Sequence, residues 1–135
     1  MIVVDSSALA KYLLREKGWS NIEGFLVERV CSVDHVLKEV SNAIWKYVVL
    51  LGKTSTDHGL ELFKQLRKLV DTGIIVLENQ DKYLDKAVEI AFKHGITVYD
   101  SLYIAQASQH DGLLTCDSRQ KNVAEKLGIR VYYVQ

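Results

Sequence analysis

Ile2-Val3-Val4-Asp5-Ser6-Ser7-Ala8-Leu9 opens the chain and decides the fold. Its three β-branched residues predict a short buried strand, because a sheet covered on both faces needs continuously apolar runs. An aspartate and two serines follow, and these residue types are favoured where a helix begins. The segment therefore predicts a strand that leads directly into a helix, which is the start of a parallel β-α unit.

Three further apolar runs follow glycines later in the chain. Each glycine ends an amphipathic segment of helical length, and glycine is the residue that most easily adopts the left-handed conformation at a helix end. The glycines and the runs are Gly73 with 74–77, Gly112 with 113–115, and Gly128 with 129–134. Because helices alternate with short apolar runs, we expect an α/β fold with a central parallel β-sheet flanked by helices.

Apolar residues three and four positions apart predict the helices. The longest such stripe comprises Val33, Val36, Leu37, Val40, Ile44, Tyr47, Val48 and Leu51. Ser32 is the predicted N-cap of this helix. Shorter stripes lie within 59–70, 84–91 and 120–127, and the small residues of Ser101–Ser108 predict a helix that packs closely against the sheet.

The composition is that of an ordinary globular domain without excess charge. The chain has 135 residues, and its 17 lysines and arginines balance 17 aspartates and glutamates. This length predicts a single domain over residues 1–135, and the zero net charge argues against a broad basic surface for nucleic acid. Cys31 and Cys116 are too few for a disulfide framework. Without a secretory leader or an apolar run longer than Tyr47–Leu51, we expect a cytoplasmic protein with no membrane span.

Two aspartates directly follow predicted strands. Asp5 ends the opening strand, and Asp117 follows the run that begins at Leu113. Parallel strands end at the same edge of a sheet, and open α/β sheets bind ligands there. We therefore expect the two carboxylates to approach each other. The alternative role of each aspartate is to cap the helix that follows it.

Two further acids complete the candidate group. Asp100 opens the helix that contains Ser101–Ser108, where the helix dipole favours an acid by about 0.3–1 kcal/mol, so a purely structural role is the alternative. Glu39 lies inside the helix predicted after Ser32, at the edge of the apolar stripe. The alternative role of Glu39 is that of a solvated residue on the flank of the helix. Asn42 lies one turn further on the same side of the helix.

Convergence of these four carboxylates would call for a cation. Two like charges about 4 Å apart repel by roughly 4 kcal/mol at an effective dielectric of 20. Oxygen ligands select hard divalent ions such as Mg²⁺ or Mn²⁺. Such ions support in-line displacement at phosphorus. The acids therefore predict metal-dependent chemistry on a phosphate ester.

The order of these motifs resembles that of the PIN-domain nucleases. The motifs are Asp5-Ser6-Ser7-Ala8-Leu9 after the first strand, Glu39 within Leu37–Asn42, Tyr99-Asp100-Ser101-Leu102-Tyr103-Ile104-Ala105, and Leu114-Thr115-Cys116-Asp117. The resemblance covers essentially the whole chain, and the short length is most similar to that of the VapC-type toxins. It implies a Rossmann-like PIN domain.

The same resemblance implies a divalent-metal-dependent endoribonuclease that uses Mg²⁺ or Mn²⁺. The positions that match the family's metal-binding and catalytic acids are Asp5, Glu39, Asp100 and Asp117. The positions that match its supporting polar residues are Ser6, Asn42 and Thr115. The resemblance also implies an RNA substrate, a homodimer and a cognate antitoxin, as in a VapBC-type toxin–antitoxin pair.

Other functions stay open at this point. A non-catalytic module that binds RNA or a partner would fit the same residues, as would a housekeeping RNA-processing nuclease. A phosphatase or phosphoacceptor domain fits less well, because Ser7 stands where an Asp-x-Asp motif would place its second acid. The histidines complete no zinc motif, and His35 is expected at the surface.

Five basic residues are candidates for a rim that holds RNA around the acids. They are Lys11, Arg15, Lys46, Arg119 and Lys121. For each of them, a solvated helix face is the alternative.

Overall fold

Five parallel strands form one sheet at the centre of the protein. The computed structural model describes all residues from Met1 to Gln135. The strands are β1 (Ile2–Val4), β2 (Val30–Val33), β3 (Ile75–Glu78), β4 (Leu113–Thr115) and β5 (Val131–Tyr133). They lie in the order β3-β2-β1-β4-β5, and every neighbouring pair is parallel. The predicted central parallel sheet is confirmed.

Seven α-helices flank the sheet, as an α/β fold requires. They are α1 (Ser6–Leu13), α2 (Ser20–Val27), α3 (Val36–Trp45), α4 (Thr56–Asp71), α5 (Asp81–His94), α6 (Val98–Ala107) and α7 (Ser118–Lys126). A π-helical turn, Lys46–Leu50, extends α3. None of these helices combines the length and the apolarity needed to cross a membrane.

The strand order reverses between β1 and β4, and this reversal defines a crevice. From β1 the chain adds β2 and then β3 on one side, whereas β4 and β5 lie on the other side. The register pairs Val3 with Leu113 and Val4 with Leu114. In open α/β sheets, ligands bind beyond the carboxyl ends of strands at such a reversal. Asp5 and Asp117 follow these two strands.

Helix α6 packs directly on the sheet, as its small residues predict. Every residue from Ser101 to Ala107 is buried, and α6 contacts β1, β2 and β4. Serine and alanine side chains permit this close approach because they occupy little volume. The position of α6 brings Asp100, in its first turn, to the edge where β1 and β4 end.

The prediction that Ser32 is the N-cap of a helix whose stripe begins at Val33 was wrong. Val30–Val33 form β2 beside β1, and Ser32 lies in this strand rather than at a helix N-cap. The Ser32 hydroxyl donates to the carbonyl of Val4 at 2.7 Å. Helix α3 begins at Val36, after His35. Val33 lies three residues before Val36, which is a helical spacing. The predicted apolar stripe therefore included the last residue of β2 as if it belonged to α3.

Two of the three glycines expected to end helices, Gly73 and Gly128, do so, whereas Gly112 does not, because α6 already ends at Ala107. Gly95 is the left-handed C-cap of α5, with φ of 69°. Gly73 and Gly128 follow α4 and α7 with φ of 79° and 75°. A residue with a Cβ is strained at such angles, so glycine ends each helix cleanly.

Candidate active site

Asp5 is buried at the carboxyl end of β1. Its side chain is 0% exposed. The Oδ1 atom accepts a hydrogen bond from the amide of Ala8 at 2.9 Å, so Asp5 does cap α1. The Oδ2 atom accepts one from the hydroxyl of Thr115, at the end of β4, at 2.5 Å. The N-cap role therefore accounts for only Oδ1 of the carboxylate. The hydrogen bond to Oδ2 links the ends of β1 and β4.

Two hydroxyl groups hold the Asp5 carboxylate in place. The Ser7 hydroxyl lies 2.8 Å and 2.9 Å from the two carboxylate oxygens, and it accepts a bond from the amide of Cys116 at 2.9 Å. Thr115 Oγ1 also accepts the amide of Asp117 at 3.0 Å. These bonds fasten the start of α1 to the segment that follows β4, so Asp5 and Asp117 lie at the same edge.

Asp117 and Asp100 are joined through Gln120. Asp117 Oδ1 caps α7 by accepting the amides of Arg119 and Gln120, at 2.8 Å and 3.2 Å. The Gln120 side chain is buried, and its Nε2 donates to Asp100 Oδ1 at 3.2 Å. Thr97 is the N-cap of α6 and accepts the amide hydrogen bond of Asp100 at 3.1 Å, so Asp100 lies in the first turn of the helix. Asp100 is thus held by a neighbouring helix and is not needed as the cap of its own.

Glu39 reaches the same region through Tyr103. Tyr103, one turn after Asp100 on α6, is buried, and its hydroxyl donates to Glu39 Oε1 at 2.5 Å. Burial and the charge of Glu39 raise the pKa of Tyr103 above its usual value. The hydroxyl therefore stays protonated and remains a donor. Glu39 is 26% exposed, so it borders the site rather than pointing away into solvent.

The electrostatics show that the acids act on one another. Burial raises the pKa of Asp5 from 3.8 to about 7, against the hydrogen bonds from Thr115, Ala8 and Ser7, and the charge of Asp117 adds to the rise. Burial raises the pKa of Asp100 as well, with further contributions from the charges of Asp117 and Glu39. The four carboxylates therefore form one electrostatically coupled group.

The donor chemistry of this group fits a hard divalent cation. No lysine or arginine forms an ion pair with any of the four acids. Asp117, Asp100 and Glu39 each use one carboxylate oxygen in the hydrogen bonds above and keep the other. No three of the carboxylates have oxygens within 4.8 Å of one another. Three carboxylates that close together are not required, because Mg²⁺ keeps several of its own waters when it binds.

Comparisons with known proteins identify the family. The family model described as "PIN domain" matches residues 2–126. The chain is 30% identical over 128 residues to "Ribonuclease VapC3" of Pyrobaculum aerophilum, covering 93% of both chains. It is 32% identical over 123 residues to "Ribonuclease VapC1" of Mycobacterium tuberculosis, covering 87% of this chain and 86% of that one.

The chain belongs to the PIN domain family. This confirms the resemblance in the order of the motifs, and the names of the two similar proteins are those of VapC ribonucleases. The match to the PIN domain includes all four acids, since residues 2–126 span Asp5 to Asp117.

A surface groove adjoins the acids of this PIN domain. Its volume is about 310 Å³, and its lining residues are Ser6, His35, Lys38, Glu39, Asn42 and Tyr99. The His35 ring stacks on Tyr99 with centroids 5.0 Å apart and planes 16° from parallel. The His35 side chain is 12% exposed, so it lines this surface groove but is largely covered by its neighbours. The stacking partner Tyr99 is 59% exposed.

The supporting polar residues divide between two places. Thr115 bonds Asp5 directly, as described above. Ser6 and Asn42 instead line the groove beside Glu39. Ser7, and not Ser6, makes the hydrogen bonds to Asp5.

Sequence reasoning assigned no site role to three residues that hold the acids. They are Ser7, Tyr103 and Gln120. Spacing offers a signal for two of them: Ser7 stands two positions after Asp5, within reach of a capping carboxylate, and Tyr103 lies one turn after Asp100. Gln120 gives no such signal, because its partner Asp100 is twenty residues away on another helix.

The predicted basic rim is only partly built around the acids. The charge of Arg119 counteracts some of the rise in the pKa of Asp100. Arg15 instead lies over the ring of Trp19 at 4.0 Å. Lys121 pairs with a glutamate one turn further along α7, at 3.5 Å. Lys38, which was not among the five candidates, lies in the groove itself.

Proposed function

We propose that this chain, as a single PIN domain over residues 1–135, is a Mg²⁺- or Mn²⁺-dependent endoribonuclease. We further propose that it is the cytoplasmic toxin of a VapBC-type toxin–antitoxin pair. The observation that carries the proposal is the buried carboxylate of Asp5, on which the charge of Asp117 acts, in a group of four acids with no lysine or arginine paired to them. The names of the two ribonuclease relatives support RNA as the substrate.

In this mechanism, Asp5, Glu39, Asp100 and Asp117 would hold the metal. When bound, the ion would supply the Lewis acidity that activates water and stabilises the negative charge developing at phosphorus. The protein's contribution is to position the acids. Ser7 and Thr115 orient Asp5, Gln120 orients Asp100, and Tyr103 orients Glu39. Such outer hydrogen bonds fix the direction in which a ligand oxygen points.

The groove beside the acids would bind the RNA strand. Tyr99 presents an exposed ring that is backed by His35, which suits stacking with an unpaired base. Lys38 lies in the same groove and suits a backbone phosphate. Few basic residues lie near the acids, so we expect the binding to single strands or loops to depend on stacking as well as charge.

Cleavage of labelled structured RNA tests the proposed activity. We expect products with Mn²⁺ or Mg²⁺ and none with excess chelator. Asp5→Asn and Asp100→Asn should each lower the rate by more than the roughly 10–100-fold that loss of an outer hydrogen-bonding partner costs at metal sites. Gln120→Ala should fall within that range. Asp85→Asn is the matched control, because Asp85 is an exposed acid on α5 outside the group.

The outcomes separate the proposed function from its alternatives. RNA binding without metal-dependent products would favour a non-catalytic binding module. Cleavage without growth arrest on expression would favour a housekeeping nuclease. Equal cleavage by wild type and Asp5→Asn, with and without chelator, would refute the nuclease proposal.

An apolar groove between α3 and α4 supports the antitoxin part of the proposal. Its volume is about 230 Å³. Exposed apolar side chains lie in and around this groove: Trp45, Val49, Leu50, Leu51 and Leu60. A concave apolar surface suits an apolar helix or side chain from a different protein. We propose that the antitoxin occupies it.

An apolar stripe on α5 supports the proposal that the protein forms a homodimer. Leu84, Val88 and Phe92 recur every four residues on one face of this helix, and Phe92 is 84% exposed. A convex helical stripe can pack against its own copy across a two-fold axis, because both partners present the same surface. We propose that this stripe is the dimer contact.

Two substitutions that introduce a negative charge distinguish the proposed dimer contact from the proposed antitoxin groove. Phe92→Glu should convert a dimer to a monomer in light scattering and leave antitoxin binding intact. Trp45→Glu should weaken binding of the protein encoded beside this gene and leave the dimer intact. If both variants keep both contacts, the assignment of these surfaces is wrong.

A further inference from the structure

A second cluster of metal-ligand residues lies away from the four acids. Cys31 is in β2, Glu78 ends β3, and His110 lies between α6 and β4. Their Sγ, carboxylate and imidazole ligand atoms all lie within 4.8 Å of one another. No other three His, Cys, Asp or Glu side chains in the chain meet this distance. The cluster contains none of the acids of the proposed nuclease site.

The three side chains lie close together, and two of them are partly exposed. His110 Nε2 and Glu78 Oε1 are 2.7 Å apart. Cys31 is a free cysteine whose thiol has only a long contact, 3.7 Å, to the carbonyl of Ile2. Cys31 is fully buried, whereas the Glu78 and His110 side chains are 21% and 19% exposed. Glu78 and His110 are therefore the members of the cluster that an ion from solvent would meet first.

Glu78 is held in place by donors other than His110. The Tyr83 hydroxyl and Gln106 Nε2 donate to Oε1 at 2.8 Å and 3.0 Å, and Lys82 Nζ donates to Oε2 at 3.0 Å. Carboxylates that bind metals are typically oriented by such hydrogen bonds. In the structure His110 Nε2 faces the Glu78 carboxylate as a donor. To bind an ion through Nε2, the imidazole would take the neutral form that carries its proton on Nδ1, while the other donors keep the carboxylate in its orientation.

We propose that Cys31, Glu78 and His110 bind a Zn²⁺ ion, with water as the fourth ligand. Thiolate, imidazole and carboxylate are the donor types of zinc, and three protein ligands with a water make a common tetrahedral set. With ordinary zinc bond lengths, the ligand atoms of such a set lie about 3.3–3.6 Å apart. The atoms here need shifts on the order of 1 Å to reach that geometry. Binding would release the thiol proton of Cys31 to solvent.

This site differs from the proposed nuclease centre in its chemistry. A thiolate favours Zn²⁺ over Mg²⁺, whereas the four acids offer only oxygen. The bound ion would join β2, β3 and the segment before β4, which are far apart in sequence. We therefore expect it to stabilise the folded chain, because the unfolded chain lacks the assembled site.

Titration of the reduced, metal-free protein with Co²⁺ tests the proposal. Cobalt bound to a thiolate absorbs in the near ultraviolet by charge transfer, and an oxygen-only site gives no such band. We expect a band that saturates at one equivalent and disappears when Zn²⁺ is added. The band should be lost in Cys31→Ser and kept in Cys116→Ser, which is the matched cysteine control.

Two further variants keep the test independent of folding and of the nuclease proposal. His110→Gln retains the thiol but should weaken Co²⁺ binding by tenfold or more, and it guards against a Cys31→Ser protein that does not fold. Asp5→Asn should leave the band unchanged even if RNA cleavage is lost. No charge-transfer band in wild type, a band that survives Cys31→Ser, or unchanged affinity in a folded His110→Gln would overturn the zinc site.

Discussion

Replacing Asp5 with asparagine tests the electrostatic strain at the site. Asp5 is 0% exposed, and burial raises its pKa from 3.8 to about 7. The folded protein therefore holds a proton on Asp5 between about pH 4 and pH 7, a range in which the unfolded chain has lost it. Stability falls as pH rises through this window, because the folded state binds more protons than the unfolded state.

The size of the effect follows from the shift in pKa. Each unit is worth 1.36 kcal/mol, so the rise from 3.8 to about 7 amounts to about 4 kcal/mol. Asparagine carries no charge, keeps an oxygen for the amide of Ala8 and offers an amide donor to Thr115. We therefore expect Asp5→Asn to be as stable as wild type near pH 4 and more stable by up to about 4 kcal/mol at pH 8.

Urea unfolding from pH 4 to pH 8.5, in the presence of EDTA, measures this difference. Asp85→Asn is the control, because it makes the same chemical change at an exposed position of α5. Adding Mn²⁺ at pH 8 should stabilise wild type and narrow its gap to Asp5→Asn, since only wild type offers the full set of charges. Parallel pH profiles for wild type and Asp5→Asn would refute the reasoning, as would a wild-type protein that becomes more stable with rising pH.

Three single substitutions give further predictions. Tyr103→Phe removes the hydroxyl that donates to Glu39. It should lower the free energy of unfolding in urea by about 1.5–3 kcal/mol and should also lower the rate of RNA cleavage. An unchanged cleavage rate would show that Glu39 does not need this hydrogen bond. Gly59→Ala should destabilise the protein by about 1–3 kcal/mol, because its Cβ would lie 2.7 Å from a methyl of Val48. Gly24→Ala on α2 meets nothing within 4 Å and should stabilise by about 0.5–1 kcal/mol; destabilisation by both alanines would contradict the packing argument.

Strand β2 shows where sequence reasoning failed for the fold. Val30-Cys31-Ser32-Val33 contains two small residues of mixed character, and its last valine continues the apolar spacing of α3. Local spacing therefore favoured a helix. The strand forms because it pairs with β1 on one side and β3 on the other. Strand propensity depends on such partners, which lie far away in sequence.

The four acids of the candidate site could be predicted from the sequence, but the residues that hydrogen-bond to them could not. Asp5 and Asp117 follow strands that end at one edge, so the topology alone brings them close. The hydrogen bond from Gln120 to Asp100 depends on how α7 lies against α6. The cluster of Cys31 with His110 depends on the same kind of packing, since the two residues are far apart in the chain.

The sequence by itself determined the alternation of strands and helices, the glycine stops and the order of the four acids. These features follow from local causes: apolar periodicity, backbone freedom and the residues that suit strand and helix ends. Only the tertiary structure decided which side chains meet across the sheet, how deeply Asp5 is buried and which donors hold each carboxylate. Burial and hydrogen bonding depend on atoms brought together by folding, and these atoms set the charge state of the site.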